Sequence, residues 1–306
     1  MNFIDKLFFD LSLDKEYLAK IISRSSFYYK DFTIPKSNGG IRHISQPSPE
    51  LKTLQYWVLE NILSNLPVSS SAYAYKKGDS IKKHALLHSK SRFILHTDIS
   101  DFFETINSSK LISILNNKRN IFKQLDLDYD ESVEYIKKIC FRKDKLCIGA
   151  VSSPAISNII MYSFDNVLAK YCDKRGYKYS RYADDIYISS NEYIDAKILV
   201  YIDKELSKRG FTINKSKTRF FSPKYKRCVT GIVLTNDSNI SIGTKRRILI
   251  KKMIYNKLVN GIGDSNVILG YLSFLKDVEP NTYEKLIIKY SKYCNSDVLT
   301  ALREHN

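Results

Sequence analysis

The sequence of 306 residues lacks the features that direct a chain into or across a membrane. It contains no uninterrupted apolar run near the roughly 18 residues that a membrane span needs. Residues 1–6, MNFIDK, have an acid where a signal peptide is first basic and then apolar. These absences predict a cytoplasmic protein with no membrane partner.

Cysteine is scarce, and its pattern shows no pairing. The five cysteines are odd in number and include no Cys-x-x-Cys pair, which argues against a disulfide framework and against a thiolate zinc site. We therefore expect free thiols, most of them buried. No internal repeat or low-complexity linker divides the chain. The length corresponds to one to three subdomains.

Acidic residues are the minority among the charged side chains. The sequence has 32 Asp and Glu residues against 49 Lys and Arg residues, which gives a net charge of +17. A basic excess favours binding to a phosphate backbone, although solubility alone also accounts for such a charge. The hydrophobic fraction of 43% is sufficient for a large core.

Two of the few acids are adjacent, in Tyr182-Ala183-Asp184-Asp185. They interrupt a strand-like run, residues 177–188, which predicts strand, tight turn and strand. Neighbouring side chains of a strand point to opposite faces, so both acids serve one site only if the chain turns there. Two close carboxylates repel unless a cation neutralises them, and oxygen ligands suit Mg²⁺. A bare Asp-Asp pair is more often a turn with local hydrogen bonds, so the context decides.

The context is a second acidic strand in residues 93–103, with an apolar start and Asp98 at its end. Together with Asp184 and Asp185, Asp98 would hold two Mg²⁺ ions roughly 3.5–4 Å apart. One ion would activate an attacking hydroxyl and the other would stabilise a leaving pyrophosphate. This arrangement predicts nucleotidyl transfer.

A third motif lies between the two acidic strands, in residues 146–158 with the sequence LCIGAVSSPAISN. It is similar to the motif Leu-Pro-Gln-Gly-x-x-x-Ser-Pro-x-x-x-Asn of reverse transcriptases, whose palm the Asp-x-x-x-x-Phe and Tyr-Ala-Asp-Asp motifs also resemble. Cys147 and Ile148 stand where the family has Pro-Gln, which removes an amide that shapes the nucleotide and template pocket. Three ordered motifs are specific, whereas Tyr-x-Asp-Asp alone would be weak.

Other segments resemble the bacterial retron branch of this family, a branch akin to group II intron enzymes. Residues 32–47 are similar to its fingers segment, and residues 84–88 resemble its Asn-Ala-x-x-His element with His84 in place of Asn. Residues 229–231 match its Val-Thr-Gly element. The resemblance extends from about residue 32 to about residue 231, and more weakly into the basic C-terminal segment.

The resemblance implies an α+β right-hand polymerase with fingers, a ferredoxin-like palm and a mainly helical thumb. The expected divisions are residues 1–90 for N-terminal helices and fingers, 91–225 for the palm with a helical insertion at about 107–145 beside it, and 226–306 for an RNA-binding thumb. Caps and periodicity predict helices from Ser48-Pro49, from Ser153-Pro154 and over about 195–209. Strands are expected at 211–213 and 218–221, which completes a split βαβ palm.

The resemblance also assigns roles around the metals. Asp98, Asp184 and Asp185 are the expected catalytic residues, and Ile99 joins them as a metal-site residue. The expected nucleotide-binding residues are Lys36, Arg42, Phe103, Gly149 and Lys217.

Each of these roles has an alternative. Phe103 would lie under the incoming sugar and exclude a 2′-hydroxyl, although core packing is the alternative for a phenylalanine. Arg42 and Lys36 would reach the triphosphate, with ordinary surface charge as good an explanation for Lys36. We favour Lys217 over Lys215 as the lysine near the pyrophosphate.

The segment around residues 245–252 is strongly basic and carries apolar residues at helical spacing. A helix of this kind buries its apolar stripe and lays its cations along a phosphate backbone, or it is a solvated amphipathic helix. We assign RNA binding to Val229, Thr230, Gly231, Lys245, Arg246 and Lys251.

The histidines invite a metal interpretation that the sequence does not favour. His84 and His88 lie one helical turn apart, but no third ligand accompanies them, so a structural or RNA-contacting role is favoured over zinc. His43 and His96 are isolated, and local hydrogen bonds are expected to satisfy them.

We predict an RNA-directed DNA polymerase that uses dNTPs and two Mg²⁺ ions. Retron resemblance implies that it copies its own structured non-coding RNA (msr-msd) from a 2′-hydroxyl primer, giving branched RNA-linked single-stranded DNA (msDNA), and that it serves phage defence with a separate effector protein. A group II intron-type enzyme is the alternative of the same class, disfavoured by the short chain after the thumb. A catalytically silent RNA-binding scaffold that holds an effector is the alternative of another class, and the three aspartates argue against it.

Overall fold

The computed structural model describes residues 1–36, 39–294 and 296–304, so the last two residues of the expected thumb lie outside it. The described α-helices are α1 (Phe3–Leu11), α2 (Lys15–Ser23), α3 (Pro49–Asn61), α4 (Ile81–His88), α5 (Ser108–Asn116), α6 (Asn120–Gln124), α7 (Tyr129–Cys140), α8 (Ser153–Asp173), α9 (Lys197–Ser207), α10 (Thr244–Asn260), α11 (Ser265–Val278), α12 (Pro280–Ser291) and α13 (Val298–Glu304). The strands are β1 (Tyr29–Pro35), β2 (Ile41–Pro47), β3 (Phe93–Asp98), β4 (Lys178–Tyr182), β5 (Asp185–Ser190), β6 (Arg219–Phe221), β7 (Arg227–Val229), β8 (Ile232–Leu234) and β9 (Ile240–Ser241). Within these ranges, no helix combines the length and the apolar character that a membrane crossing requires.

Local sequence explains where the central helices begin and end. Ser48 caps α3 by accepting a hydrogen bond from the backbone N–H of Leu51, and Pro49 occupies the first turn, as predicted. Helix α8 likewise begins at Ser153 with a proline in its first turn. It ends before Gly176, whose φ of +67° lies in the left-handed region that favours glycine.

The central sheet has the strand order β4-β5-β3-β6. With α8 before β4 and α9 before β6, this order gives the predicted split βαβ arrangement of a ferredoxin-like palm. One predicted strand was wrong in part: residues 211–213 form no strand but a single bridge, from Ile213 to Ile99. The chain then winds into a short 3-10 helix, Lys215–Lys217, and the edge strand starts only at Arg219.

Strands β1 and β2 form a largely exposed hairpin that is held to the rest of the protein at its base. Arg142 forms a salt bridge with Asp31 through two nitrogens, one of them at 2.9 Å from Oδ2. The N–H of Ser45 donates to the carbonyl of Ile148 at 2.9 Å. The residues that replace Pro-Gln in the third motif therefore lie against the fingers hairpin.

The predicted insertion, residues 107–145, contains helices α5, α6 and α7, but it does not lie wholly beside the palm. Helix α5 packs on α8, whereas α7 packs on α1, α2 and α3. The reason is that α7 has an apolar face that includes Val133, Ile136 and Ile139, and the N-terminal helices cover it. The insertion therefore joins the fingers helices to the palm.

The C-terminal part has its own core and a small sheet of order β7-β8-β9. That core also includes Ala85, Ile94 and Tyr187 from the preceding elements, which joins the C-terminal helices to the central sheet. The apolar stripe of α10 is buried only at Ile250 and Ile254. Ile248 and Leu249, two other apolar residues of this helix, are 60% and 43% exposed because α10 packs on its neighbours through one narrow face.

A fully buried ion pair supports the turn of the β4–β5 hairpin. Nε and Nη2 of Arg181 bind the two carboxylate oxygens of Asp165 at 2.8 and 2.7 Å, and the same guanidinium donates to Asn158. Its Nη1 donates to the carbonyl oxygen of Ala183 at 2.8 Å. Ala183 has a φ of +56°, a conformation that a residue with a Cβ adopts at a cost.

Replacing Asp165 by Asn should lower the free energy of unfolding by about 3–5 kcal/mol, the range for breaking a buried ion pair, because the Arg181 charge then stays buried without its counterion. Urea denaturation measures the difference. Asp277→Asn is the matched control, since it removes the partner of Lys82 on the surface, where the loss is at most about 1 kcal/mol. Equal losses for the two variants would contradict the role of the buried pair.

Candidate active site

The sheet register brings the three predicted catalytic aspartates to one end of the palm. Asp98 on β3 is directly opposite Asp185 on β5, so both side chains lie on the same face. The N–H of Ile99 donates to the carbonyl of Asp184 at 3.0 Å, which fixes the two-residue turn against the end of β3. A turn at Ala183-Asp184 thus allows the two adjacent acids to approach Asp98, as the sequence predicted.

Two of these carboxylates already have cationic or hydrogen-bonding partners. Asp98 Oδ2 lies 2.8 Å from Nζ of Lys217, and Asp185 Oδ1 lies 2.7 Å from Nε2 of His96. The hydrogen bond to Asp98 raises the pKa of Lys217. Burial, followed by the nearby charges of Asp185 and Asp98, raises the pKa of Asp184 to about 6. The ionised form of Asp184 is therefore disfavoured at this end of the palm.

The donor chemistry of this end of the palm fits a divalent cation. The charges of Asp185 and Asp98 raise the proton affinity of Asp184, and an oxygen-binding cation would relieve that repulsion. Within the described ranges, no three acidic, histidine or cysteine side chains are already arranged as a metal cage. Asp98 contacts Lys217 and Asp185 contacts His96, and a bound ion would replace those partners.

A cavity of about 710 Å³ opens between the fingers hairpin and this end of the palm. It brings together most of the residues that the sequence assigned to metals and nucleotide. Its walls include Lys36, Arg42, Asp98, Ile99, Phe103, Asp184 and Lys217. Ile148 also lines it, so an apolar side chain stands where the family has an amide.

Gly149 does not line this cavity, and the structure gives it another role. Its φ is +114°, and a Cβ at this position would lie 2.8 Å from the backbone oxygen of Ser45. Only glycine fits so close to β2. The glycine of the third motif thus allows the close approach of the fingers hairpin, and its assignment to nucleotide binding stays a prediction.

The residues assigned to RNA lie apart from the cavity, around the turn between β7 and β8. Thr230 and Gly231 form this turn, with φ values of +46° and +80°. Nη1 of Arg246 donates to the carbonyl of Gly231 at 3.2 Å, while Lys245 and Lys251 are exposed. Val229 is fully buried in the C-terminal core, backbone included, so none of its atoms is exposed to an RNA partner in this conformation.

His96 was expected to find a local partner, and this was wrong. Its partner Asp185 is 89 positions away, and its ring stacks on Tyr187 with a centroid distance of 4.6 Å. The register explains the contact, because His96 and Asp98 are two residues apart on β3 and share a face. That spacing was the one signal in the sequence that linked His96 to the acidic site.

His84 and His88 have a structural role, one of the two roles that the sequence favoured over zinc. His84 and His88 are fully buried, and their Nε2 atoms lie 2.6 and 2.7 Å from the same Ser180 Oγ on β4. Burial lowers the pKa of His84 to about 4 and also lowers that of His88, so both rings are neutral at pH 7.

The hydrogen bonds of these two rings form a chain that can run in either of two opposite directions, and one of them satisfies every ring nitrogen as follows. His88 donates through Nδ1 to Ser189 on β5 at 2.7 Å and accepts from Ser180. His84 then donates to Ser180 through Nε2 and accepts at Nδ1 from the hydroxyl of Thr230, 3.4 Å away. A continuous chain of hydrogen bonds therefore joins the Thr230 turn to both strands of the catalytic hairpin.

Comparison with known proteins agrees with this geometry. Residues 34–247 match the family described as Reverse transcriptase (RNA-dependent DNA polymerase). Among curated proteins, the chain is 34% identical over 285 residues to the Retron Ec73 reverse transcriptase of Escherichia coli, covering 89% of this chain and 90% of the relative. It is 32% identical to the Retron Ec83 reverse transcriptase of the same organism, covering 88% and 89%. The Retron Ec86 reverse transcriptase is 31% identical, with 90% and 85% covered.

A solved structure of telomerase from Candida albicans also aligns with 95% of this chain and 63% of that chain, at 14% identity and a TM-score of 0.45. The family match and the curated relatives carry the assignment. The chain belongs to the reverse transcriptase family, in the branch formed by the enzymes of bacterial retrons. It is an RNA-directed DNA polymerase with a right-hand α+β fold, and the chemistry of its family depends on divalent metal ions.

The raised pKa of Asp184 predicts a pH-dependent gain of stability in Asp184→Asn. An acid whose folded pKa exceeds its ordinary value near 4 destabilises the fold as it ionises. The free energy of unfolding of wild type therefore falls as pH rises from 4 through about 6. In the presence of a chelator, the free energy of unfolding of the variant should equal that of wild type below pH 4. Above pH 7 it should exceed the wild-type value by on the order of 1 kcal/mol. Urea denaturation across this range measures the difference, and a gap that does not change with pH would contradict the prediction.

Proposed function

We propose that this retron reverse transcriptase synthesises DNA with two Mg²⁺ ions and dNTPs in the cavity between fingers and palm. The observation that carries this proposal is the cavity itself, in which Asp98 and Asp184 meet Phe103 and the cations Lys36 and Arg42. Nucleotidyl transfer requires acidic residues that bind metal ions and cationic residues that bind phosphates. The cavity contains both, with an aromatic ring beside them.

Asp98, Asp184 and Asp185 would hold the two ions, with the backbone of Ile99 as a further ligand. When bound, the ions supply charge that activates the attacking hydroxyl and stabilises the leaving pyrophosphate. Lys217 and His96 would give up their present contacts with Asp98 and Asp185. Lys217, released from Asp98, is then in reach of the pyrophosphate from the wall of the same cavity.

Arg42 and Lys36 would bind the triphosphate from the fingers side of the cavity. Phe103 would lie under the sugar, where its ring excludes a 2′-hydroxyl. Ile148 lines the cavity where an amide is usual, so packing rather than a side-chain hydrogen bond would hold the template and the incoming base here.

The RNA partner follows from the relatives named as retron reverse transcriptases. We propose that the enzyme copies its own structured non-coding RNA from a 2′-hydroxyl, yields branched RNA-linked DNA, and acts in phage defence with a separate effector. Residues 1–90, 91–225 and 226–306 would serve as fingers, palm and thumb. Thr230, Gly231, Lys245, Arg246 and Lys251 would bind the RNA, a role that the exposed cations of α10 support.

Asp184→Asn and Asp185→Asn should each abolish DNA synthesis and leave RNA binding intact, because each removes a metal ligand and not the hairpin. Extension of oligo(dT) on poly(rA) in Mg²⁺ buffer measures synthesis, and a gel shift measures RNA binding. Asp203→Asn, on α9 outside the cavity, is the control and should extend primers as wild type does. Normal extension by either active-site variant would exclude the two-metal assignment.

Phe103→Ala should relax the choice of sugar, since the ring no longer occupies the space of a 2′-hydroxyl. Relative extension with NTPs and dNTPs should shift toward NTPs by at least about tenfold, the effect of a contact worth roughly 1.4 kcal/mol. Phe220→Ala is the matched control, because Phe220 is a partly exposed palm residue on β6 outside the cavity. Unchanged discrimination in Phe103→Ala would assign this ring to packing with Phe102 instead.

A further inference from the structure

A second concave surface lies beside the β7–β8 turn, separate from the catalytic cavity. This surface, which we call the thumb groove, has a volume of about 440 Å³ and is lined by Ile81, Thr230, Arg246, Val267, Gly270, Tyr271 and Phe274. Ligand sites in proteins are apolar concavities of this order of size with a few polar groups. The groove has no part in the metal or nucleotide chemistry described above.

One face of α11 forms the floor of the thumb groove. Val267, Gly270, Tyr271 and Phe274 are spaced three, four and seven residues apart, so they share a face. Val267 is 48% exposed, and a Cβ built on Gly270 meets nothing within 4 Å. The missing side chain at Gly270 therefore leaves open space, which we call the slot, on the face of α11 that carries Val267, Tyr271 and Phe274.

The opposite wall of the groove is cationic and polar. The guanidinium of Arg246 lies 5.3 Å from the centroid of the Phe274 ring and is held in place by its bond to the Gly231 carbonyl. Thr230 adds a hydroxyl at the rim. Helix α10, which carries Arg246, contains six Lys and Arg residues and no Asp or Glu. A flat apolar slot thus adjoins a strongly basic edge.

We propose that the thumb groove binds an unpaired base of the RNA that this enzyme uses. The base would stack against Tyr271 and Phe274, and the phosphates on either side would lie along the cations of α10. Bases splayed from single-stranded RNA are recognised by aromatic and Arg planes in this way, and stacking tolerates any base. An apolar peptide would find contacts in the groove, but it would carry no negative charges to pair with the cations of α10. This inference rests on the proposed RNA partner and extends it to a defined subsite.

The test compares two RNA probes that differ only in unpaired bases. One is a short RNA hairpin with an oligo(A) extension, and the other is the same stem with a blunt end. Gly270→Leu fills the slot, and its φ lies outside the left-handed region, so the helix accepts it. Ser273→Leu is the matched control, because it adds the same side chain to an exposed position of α11 that does not line the groove.

Gly270→Leu should weaken binding of the extended hairpin by about tenfold, the effect of one lost base stack, and leave the blunt hairpin unchanged. Ser273→Leu should bind both probes as wild type does. Fluorescence anisotropy at one fixed salt concentration gives the affinities. If Gly270→Leu does not fold, Phe274→Ala removes one stacking ring and is measured in the same way.

Three results would overturn the proposal. The first is unchanged affinity of the slot-filling variant for the extended hairpin, and the second is an equal loss for both probes. The third is an equal loss for a DNA hairpin with the same extension, which would show that the groove does not distinguish RNA from DNA. Photocrosslinking with 5-iodouridine in the extension should label Tyr271 or Phe274 in wild type. The polymerase proposal fails differently, through the absence of primer extension by wild type on poly(rA), which leaves the binding comparison intact.

Discussion

The buried contact between Arg181 and Asp165 is the interaction on which the catalytic end of this protein depends. It places a full charge where water is absent, and it is tolerated because both carboxylate oxygens and three guanidinium nitrogens have partners. One of those partners is the carbonyl of Ala183, in a left-handed turn that costs of order 1 kcal/mol. The ion pair thus offsets the strain that arises because alanine, and not glycine, occupies the left-handed position of this turn.

Once the turn is fixed, the pairing of β3 with β5 determines the rest of the site. A slip of one residue would turn Asp185 to the other face of the sheet and separate it from Asp98. The aligned carboxylates then repel one another, and the neighbouring Lys217 and His96 offset part of that repulsion in the metal-free protein. The charges that prepare the site for metals are therefore the same charges that destabilise it without them.

The sequence predicted what depends on short motifs and failed where distant residues meet. The hairpin, the Asp98 strand and the starts of α3 and α8 follow from turn, register and cap rules that operate within a few residues. The partner of His96 lies 89 positions away, and that of Gly149 lies on the fingers hairpin. No local pattern identified either partner, although the spacing of His96 and Asp98 placed His96 on the face of the acidic site. Periodicity did not predict which residues of α10 are buried, for a related reason. It shows an apolar stripe but not how much of that stripe a neighbour covers.

The chain of hydrogen bonds through the buried histidines gives the Thr230 turn a direct connection to the hairpin that carries Asp184 and Asp185. Each ring is neutral and has one donor and one acceptor, so reversing one link requires reversing its neighbours. Ser180 and Ser189 lie on the two strands of that hairpin, and Thr230 also borders the thumb groove. A displacement of the turn would strain this chain and leave buried nitrogens without partners. The geometry of the polymerase site and that of the surface around the Thr230 turn are therefore not independent of each other.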